Sequence, residues 1–184
     1  MNDNLYQGPY DVSDVSAPSE LAQFGAISFV PNGLVTVRAE VEDGTGKVLA
    51  LSFDYEQATL QVQAFASPKG ENIWHEVLLD IQAKVTEQGG TVFQQVGPFG
   101  SELVASILDS NSQNKTLRMF GFSGDRWLLR GTISGPSMDE MAVRLFLENI
   151  FRGIVVNRGE TPLPPRELLP LELPEGAIVP KGLL

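Results

Sequence analysis

The sequence predicts an α+β fold: a largely antiparallel β-sheet with two principal amphipathic helices, then a Pro/Leu-rich extended C-terminal tail. Three observations predict it. Residues 25–66 and 91–134 alternate apolar and polar positions with period two, as half-buried strands do. Two other stretches switch to helical period. Six of the twelve prolines fall in the last 23 residues, a density that prevents helix and interior strand.

The elements follow in order. Residues 1–24 are polar and acidic, with Gly8-Pro9 and Pro18 as breakers, and read as irregular. Residues 25–159 read as a single α+β domain, and 160–184 as the tail. Within the domain, "AISFV" (26–30) and "LVTVRAEV" (34–41) are strands, and "EDGTG" (42–46) is a turn. "KVLALSFDY" (47–55) and "ATLQVQAFA" (58–66) continue an antiparallel meander. The second sets Leu60, Val62 and Ala64 against Gln61, Gln63 and Phe65. Trp74, Val77, Leu78, Ile81 and Val85 then recur at helical spacing, with Asn72 as N-cap and Gly89-Gly90 as stop. "TVFQQVG" (91–97) is a strand. In residues 98–110 "SELVASIL" fits a strand or a helix. "KTLRMFGF" and "RWLLRGTIS" form a hairpin around "SGD". Ser137 and Glu140 have the spacing of a capping box for the second helix, whose apolar face is Val143, Phe146, Leu147, Ile150 and Phe151. "IVVNRG" (154–159) is a closing strand. Both helices follow three strands, which allows a pseudo-repeat of two similar βββα units. By element order alone, the pattern resembles the PsbP-like class of sheet-and-helix sandwiches.

Composition narrows the function classes. The formal net charge of −10 opposes binding to duplex nucleic acid, which requires a basic face. With no cysteine, disulfides, thiol nucleophiles and Cys-based metal sites are excluded. The start carries no secretory signal pattern and no run is long enough to span a bilayer, so a cytoplasmic location is the expectation. The single histidine, His75, reads as a helix-surface residue. No nucleophile elbow, phosphate loop or metal motif appears, so the sequence implies no catalytic residue, metal or cofactor.

Several motifs occur together: "GPYD" (8–11), "AFASP" (64–68), "WHEV" (74–77), "GPFGSEL" (97–103), "GDRWLLRG" (124–131), "FRGIVVNRG" (151–159) and "PPRELLPLELP" (164–174). In order and spacing they resemble the actinobacterial family known as domain of unknown function 3710. The resemblance covers nearly the whole chain and implies a cytoplasmic protein with no assigned activity. Genes of that family often lie near a dUTPase, a hint of nucleotide or nucleic-acid housekeeping. The family often has proline before the Arg-Trp pair, where this chain has Asp125.

Two sets of residues are candidates for binding. Arg118, Arg126, Trp127, Arg130, Arg152 and Arg158 are candidates to bind an anion or a partner. A three-residue hairpin turn (Ser123–Asp125) puts Arg118, Arg126 and Arg130 on one face. A two-residue Ser-Gly turn puts Arg118 on the other. The arginines are either neutralised by the chain's own acids or left to bind a ligand. Leu163, Leu168, Leu169, Leu171 and Leu173 are candidates for docking the tail, on the chain's own sheet or in a partner's groove. The expected function is a non-catalytic protein-binding or scaffold domain. The alternative is a site for a small anion or nucleotide, enzymatic or not, on the arginine hairpin. The oligomeric state stays open.

Overall fold

The structure is a computed structural model in which residues 8–16 and 20–175 are described. Pro18 and the last nine residues of the tail lie outside the described residues. Its elements are β1 (Tyr10–Asp11), β2 (Ala22–Phe24), β3 (Ile27–Phe29), β4 (Thr36–Val41), β5 (Val48–Tyr55), β6 (Ala58–Ala66) and α1 (Trp74–Glu87). After them come β7 (Thr91–Gly97), β8 (Gly100–Leu108), β9 (Asn114–Ser123), β10 (Trp127–Ser134), α2 (Met141–Arg152) and β11 (Val155–Val156). The fold is α+β. A seven-stranded sheet runs β4-β5-β6-β10-β9-β8-β7, antiparallel throughout. A small sheet, β1-β11-β3-β2, has one parallel pair, β1 with β11.

Period two sorts the large sheet's side chains into two cores. Leu60, Val62, Phe120, Trp127, Leu129 and Ile133 point to the face covered by α2 and the small sheet. Leu103, Ala105, Met119 and Leu128 point to the other face, where Trp74, Leu78 and Val85 of α1 pack. The helices therefore lie on opposite faces. A two-fold axis normal to the sheet would put both on one face, so it does not relate the two βββα stretches. Residues 100–108 are strand, because Leu103 and Ala105 face α1 while Glu102 faces α2.

Three local expectations change. The first 24 residues are not wholly irregular: β1, β2 and a short 3₁₀ turn lie there, because Tyr10 and Asp11 find a parallel partner in Val155 and Val156. The Ser137/Glu140 capping box does not form. Ser137 Oγ accepts the Gln57 amide instead, and α2 begins at Met141 after an extended Glu140. Asn72 does serve the start of α1, taking the Trp74 amide at 3.1 Å. Ile73 occupies the cap position itself.

The tail packs in cis as far as it is described. β5 and β6 are paired only from Leu51↔Val62 to Tyr55↔Ala58. The tail fills the gap where they part. The Glu167 carbonyl accepts the Ala66 amide, the Leu169 amide donates to Ala64, and Leu171 bridges Val48. Leu169 and Leu171 are buried in the α2-side core, and Leu163 and Leu173 pack against it. Leu168 bridges Phe65. The five leucines thus serve the chain's own sheet. Arg166 ties the tail to α1 through Glu76 and Asp80, at 2.7 and 2.6 Å.

Candidate functional site

The β9–β10 hairpin adopts neither expected register. Its ladder runs from Leu128↔Ser123 to Ser134↔Leu117, and the Gly124 amide donates to the Trp127 carbonyl, so the loop is Asp125-Arg126. Tertiary contacts fix this turn. Trp127 lies in the α2-side core, and its indole N–H donates to Asp11 at 2.8 Å. The ring crosses Gly124, where a Cβ would stand 2.1 Å from it. Placing Trp127 on the face of Phe120 and Phe122 puts Arg118 there too, and sends Arg126 and Arg130 to the other side. The shared-face cluster of Arg118, Arg126 and Arg130 therefore does not exist.

Arg118 is a structural residue. It is 6% exposed and forms a bidentate pair with Glu102, both contacts at 2.8 Å, and a third bond to Glu148 of α2 at 2.7 Å. Burial alone would lower its pKa, but the hydrogen bonds to Glu102 and Glu148 outweigh that and raise it. Gly97 makes room for this cluster, since a Cβ there would meet the Glu102 carboxylate at 2.0 Å. The rest of "GPFGSEL" is also structural. Phe99 stacks on Phe120 at 5.1 Å and meets Phe151 edge-on at 4.8 Å. Arg152 lies over Phe99, its guanidinium 4.5 Å from the ring centre. Arg130, on the opposite sheet face, donates to Gln63 and stands 5.1 Å from the Phe65 ring centre. Burial lowers its pKa from the ordinary value.

Arg126 and Arg158 come together at the hairpin end of the sheet, where two clefts share them. One, of about 570 Å³, is lined by Lys69, Arg126, Arg158 and proline-rich chain that includes Leu163 and Pro164. Its charged lining residues are all cations. The other, of about 580 Å³, adds Asp11, Asp14, Asp125 and Glu160 to the same two arginines. Arg126 is exposed and has no ion pair among the described residues. Arg158 donates through Nη1 to the Thr161 carbonyl, while its buried Nε has no partner. Asp11 anchors this end. Burial would raise its pKa, but hydrogen bonds from the Ser13 amide, the Trp127 indole and the Ser13 hydroxyl together hold it below the usual carboxylate range.

Sequence reasoning missed Lys69, hidden in the turn "SPKG", and the acids that neutralise Arg118. "GPFGSEL" carried Glu102 as a motif residue, without showing that it would meet Arg118.

A profile of the family described as Protein of unknown function (DUF3710) matches residues 8–178. The chain belongs to this family. No curated protein matches the sequence. Among solved structures, LpqN, involved in cell envelope biogenesis of Mycobacterium tuberculosis, aligns with 14% identity and a TM-score of 0.35. The alignment covers 82% of this chain and 99% of that one. Among the described residues, no helix is long and apolar enough to cross a membrane.

Proposed function

We propose that this chain is a non-catalytic binding domain, working in the cytoplasm, that takes an acidic group of a protein partner in the cleft lined by Lys69, Arg126 and Arg158. One observation carries the reading. In a chain of net charge −10, Arg38, Arg118, Arg144 and Arg166 are ion-paired internally, while Arg126 has no such pair among the described residues and lines the same cleft as Lys69 and Arg158. Arg126, exposed and without an ion pair among the described residues, keeps its donors available to an incoming carboxylate. Guanidinium forks suit that planar acceptor. A protein carboxylate fits better than a nucleotide, because Trp127 is 1% exposed and offers no open ring on which a base could stack.

Calorimetric titration with a panel of Asp- and Glu-rich peptides, with inorganic phosphate as competitor, tests the reading. Binding to wild type that is lost in the Arg126→Ala/Arg158→Ala variant, and weakened in Arg126→Ala alone, with both variants still melting cooperatively, supports it. Equal heats in wild type and the double variant contradict it, and binding of phosphate or nucleotide alone replaces it with the small-anion alternative.

A further inference from the structure

The two edges of the seven-stranded sheet are built differently. β4 carries Arg38 and Glu40 and a register irregularity at Glu40/Val41, features that discourage pairing with another strand. β7, "TVFQQVG", has no charge and no proline over seven residues. Val96 is 87% and Phe93 57% exposed. Nothing among the described residues pairs with the outer edge of β7.

The hydrogen-bonding direction follows from the β7–β8 hairpin. Gly97 and Gly100 flank a two-residue loop and pair with each other. Alternation along an antiparallel ladder then turns the backbone groups of Thr91, Phe93 and Gln95 toward β8, and those of Val92, Gln94 and Val96 outward. The neighbouring helix matches this edge. Arg166 holds Glu76 and Asp80 on the β6 side of α1. The opposite flank of α1, toward β7, carries His75, Leu79, Gln82 and Thr86, with Leu79 49% exposed.

We propose that a second copy of this chain docks on β7, antiparallel across a two-fold axis at Gln94, so that the two sheets become continuous. In this register Gln94 faces Gln94 of the second copy, and Val92 faces Val96 twice. The outward amides and carbonyls are then satisfied by equivalent residues, and the exposed Val96 gains an apolar neighbour on the α1 side. The uncharged edge lets two chains of net charge −10 meet without like charges in the strand contact. Among the described residues, the tail's bridges are to Phe65 and Val48, in the half of the sheet away from β7.

The test uses the full chain. Light scattering on a size-exclusion column should give a concentration-dependent dimer for wild type. Val96→Lys, at an exposed position, should give a monomer with unchanged melting temperature. Because the chain has no cysteine, Gln94→Cys should form a disulfide-linked dimer on mild oxidation, and Glu87→Cys, on the other flank of α1, should not. If Val96→Lys misfolds, the cysteine pair still decides. A wild-type chain that stays monomeric, a dimer unaffected by Val96→Lys, or equal cross-linking of both cysteine variants would overturn the proposal.

Discussion

Arg118 and Arg126 stand eight residues apart on one hairpin and have opposite fates. Arg118 is enclosed by Glu102 and Glu148 between the sheet and α2. Arg126 is exposed at the turn, and its charge faces a cleft. The guanidinium is the same in both. The face of the strand differs, and with it the supply of carboxylates. An arginine becomes part of the fold when a neighbouring strand and helix bring it acids. Arg126 shares a cleft with Asp11, Asp14, Asp125 and Glu160 but forms no ion pair among the described residues, and so stays available to a partner.

The largest effect expected from breaking this contrast is on stability. Arg118→Leu leaves Glu102 buried without a counter-charge and Glu148 with only Arg144, at 3.8 Å, and should cost about 3–5 kcal/mol, read as a lower urea midpoint. Replacing Arg118, Glu102 and Glu148 together by Met, Leu and Leu should recover most of that loss, because the desolvation penalty leaves with the charges.

The Asp11–Trp127 bond should show a smaller effect. Asp11→Ala should cost about 1–2 kcal/mol at neutral pH. The folded-state pKa of Asp11 is depressed, so its contribution is present above the ordinary carboxylate value of about 4 and fades as pH falls through the folded value. Urea midpoints of wild type and Asp11→Ala should therefore converge in acid. A gap that stays constant below that range would remove the charge from the explanation.

The smallest stability effect belongs to the cleft. Arg126→Ala should change stability by no more than about 0.5 kcal/mol. Together with Arg158→Ala, it should weaken acidic-peptide binding by about tenfold or more, a difference of about 1.4 kcal/mol. Lys69→Ala should weaken binding less, since a single exposed ammonium is screened by salt.

Much of the fold was legible in the sequence because period two and period 3.6 are local signals. Strands β4 to β10 and both helices lie close to where the pattern places them. The capping box was not legible, because Ser137 spends its hydroxyl on Gln57, 80 residues away in the chain. The hairpin register was not legible either. It rests on Trp127 reaching Asp11, a contact across 116 residues. The sequence showed which arginines to consider. Their division between core and cleft followed from that one long-range contact, together with the β8–β9 pairing that brings Glu102 beside Arg118.

The division can be read directly by arginine-specific modification with phenylglyoxal, followed by mass spectrometry of the folded chain. Arg126 should react quickly and be protected by a bound acidic peptide, while Arg118 reacts only when the protein unfolds. Arg38, exposed but paired with Asp54 far from the cleft, should react at a rate the peptide does not change. Modification of Arg118 as fast as Arg126 in the folded chain, or no protection of Arg126 by a peptide that binds, would contradict the assignment of the two arginines.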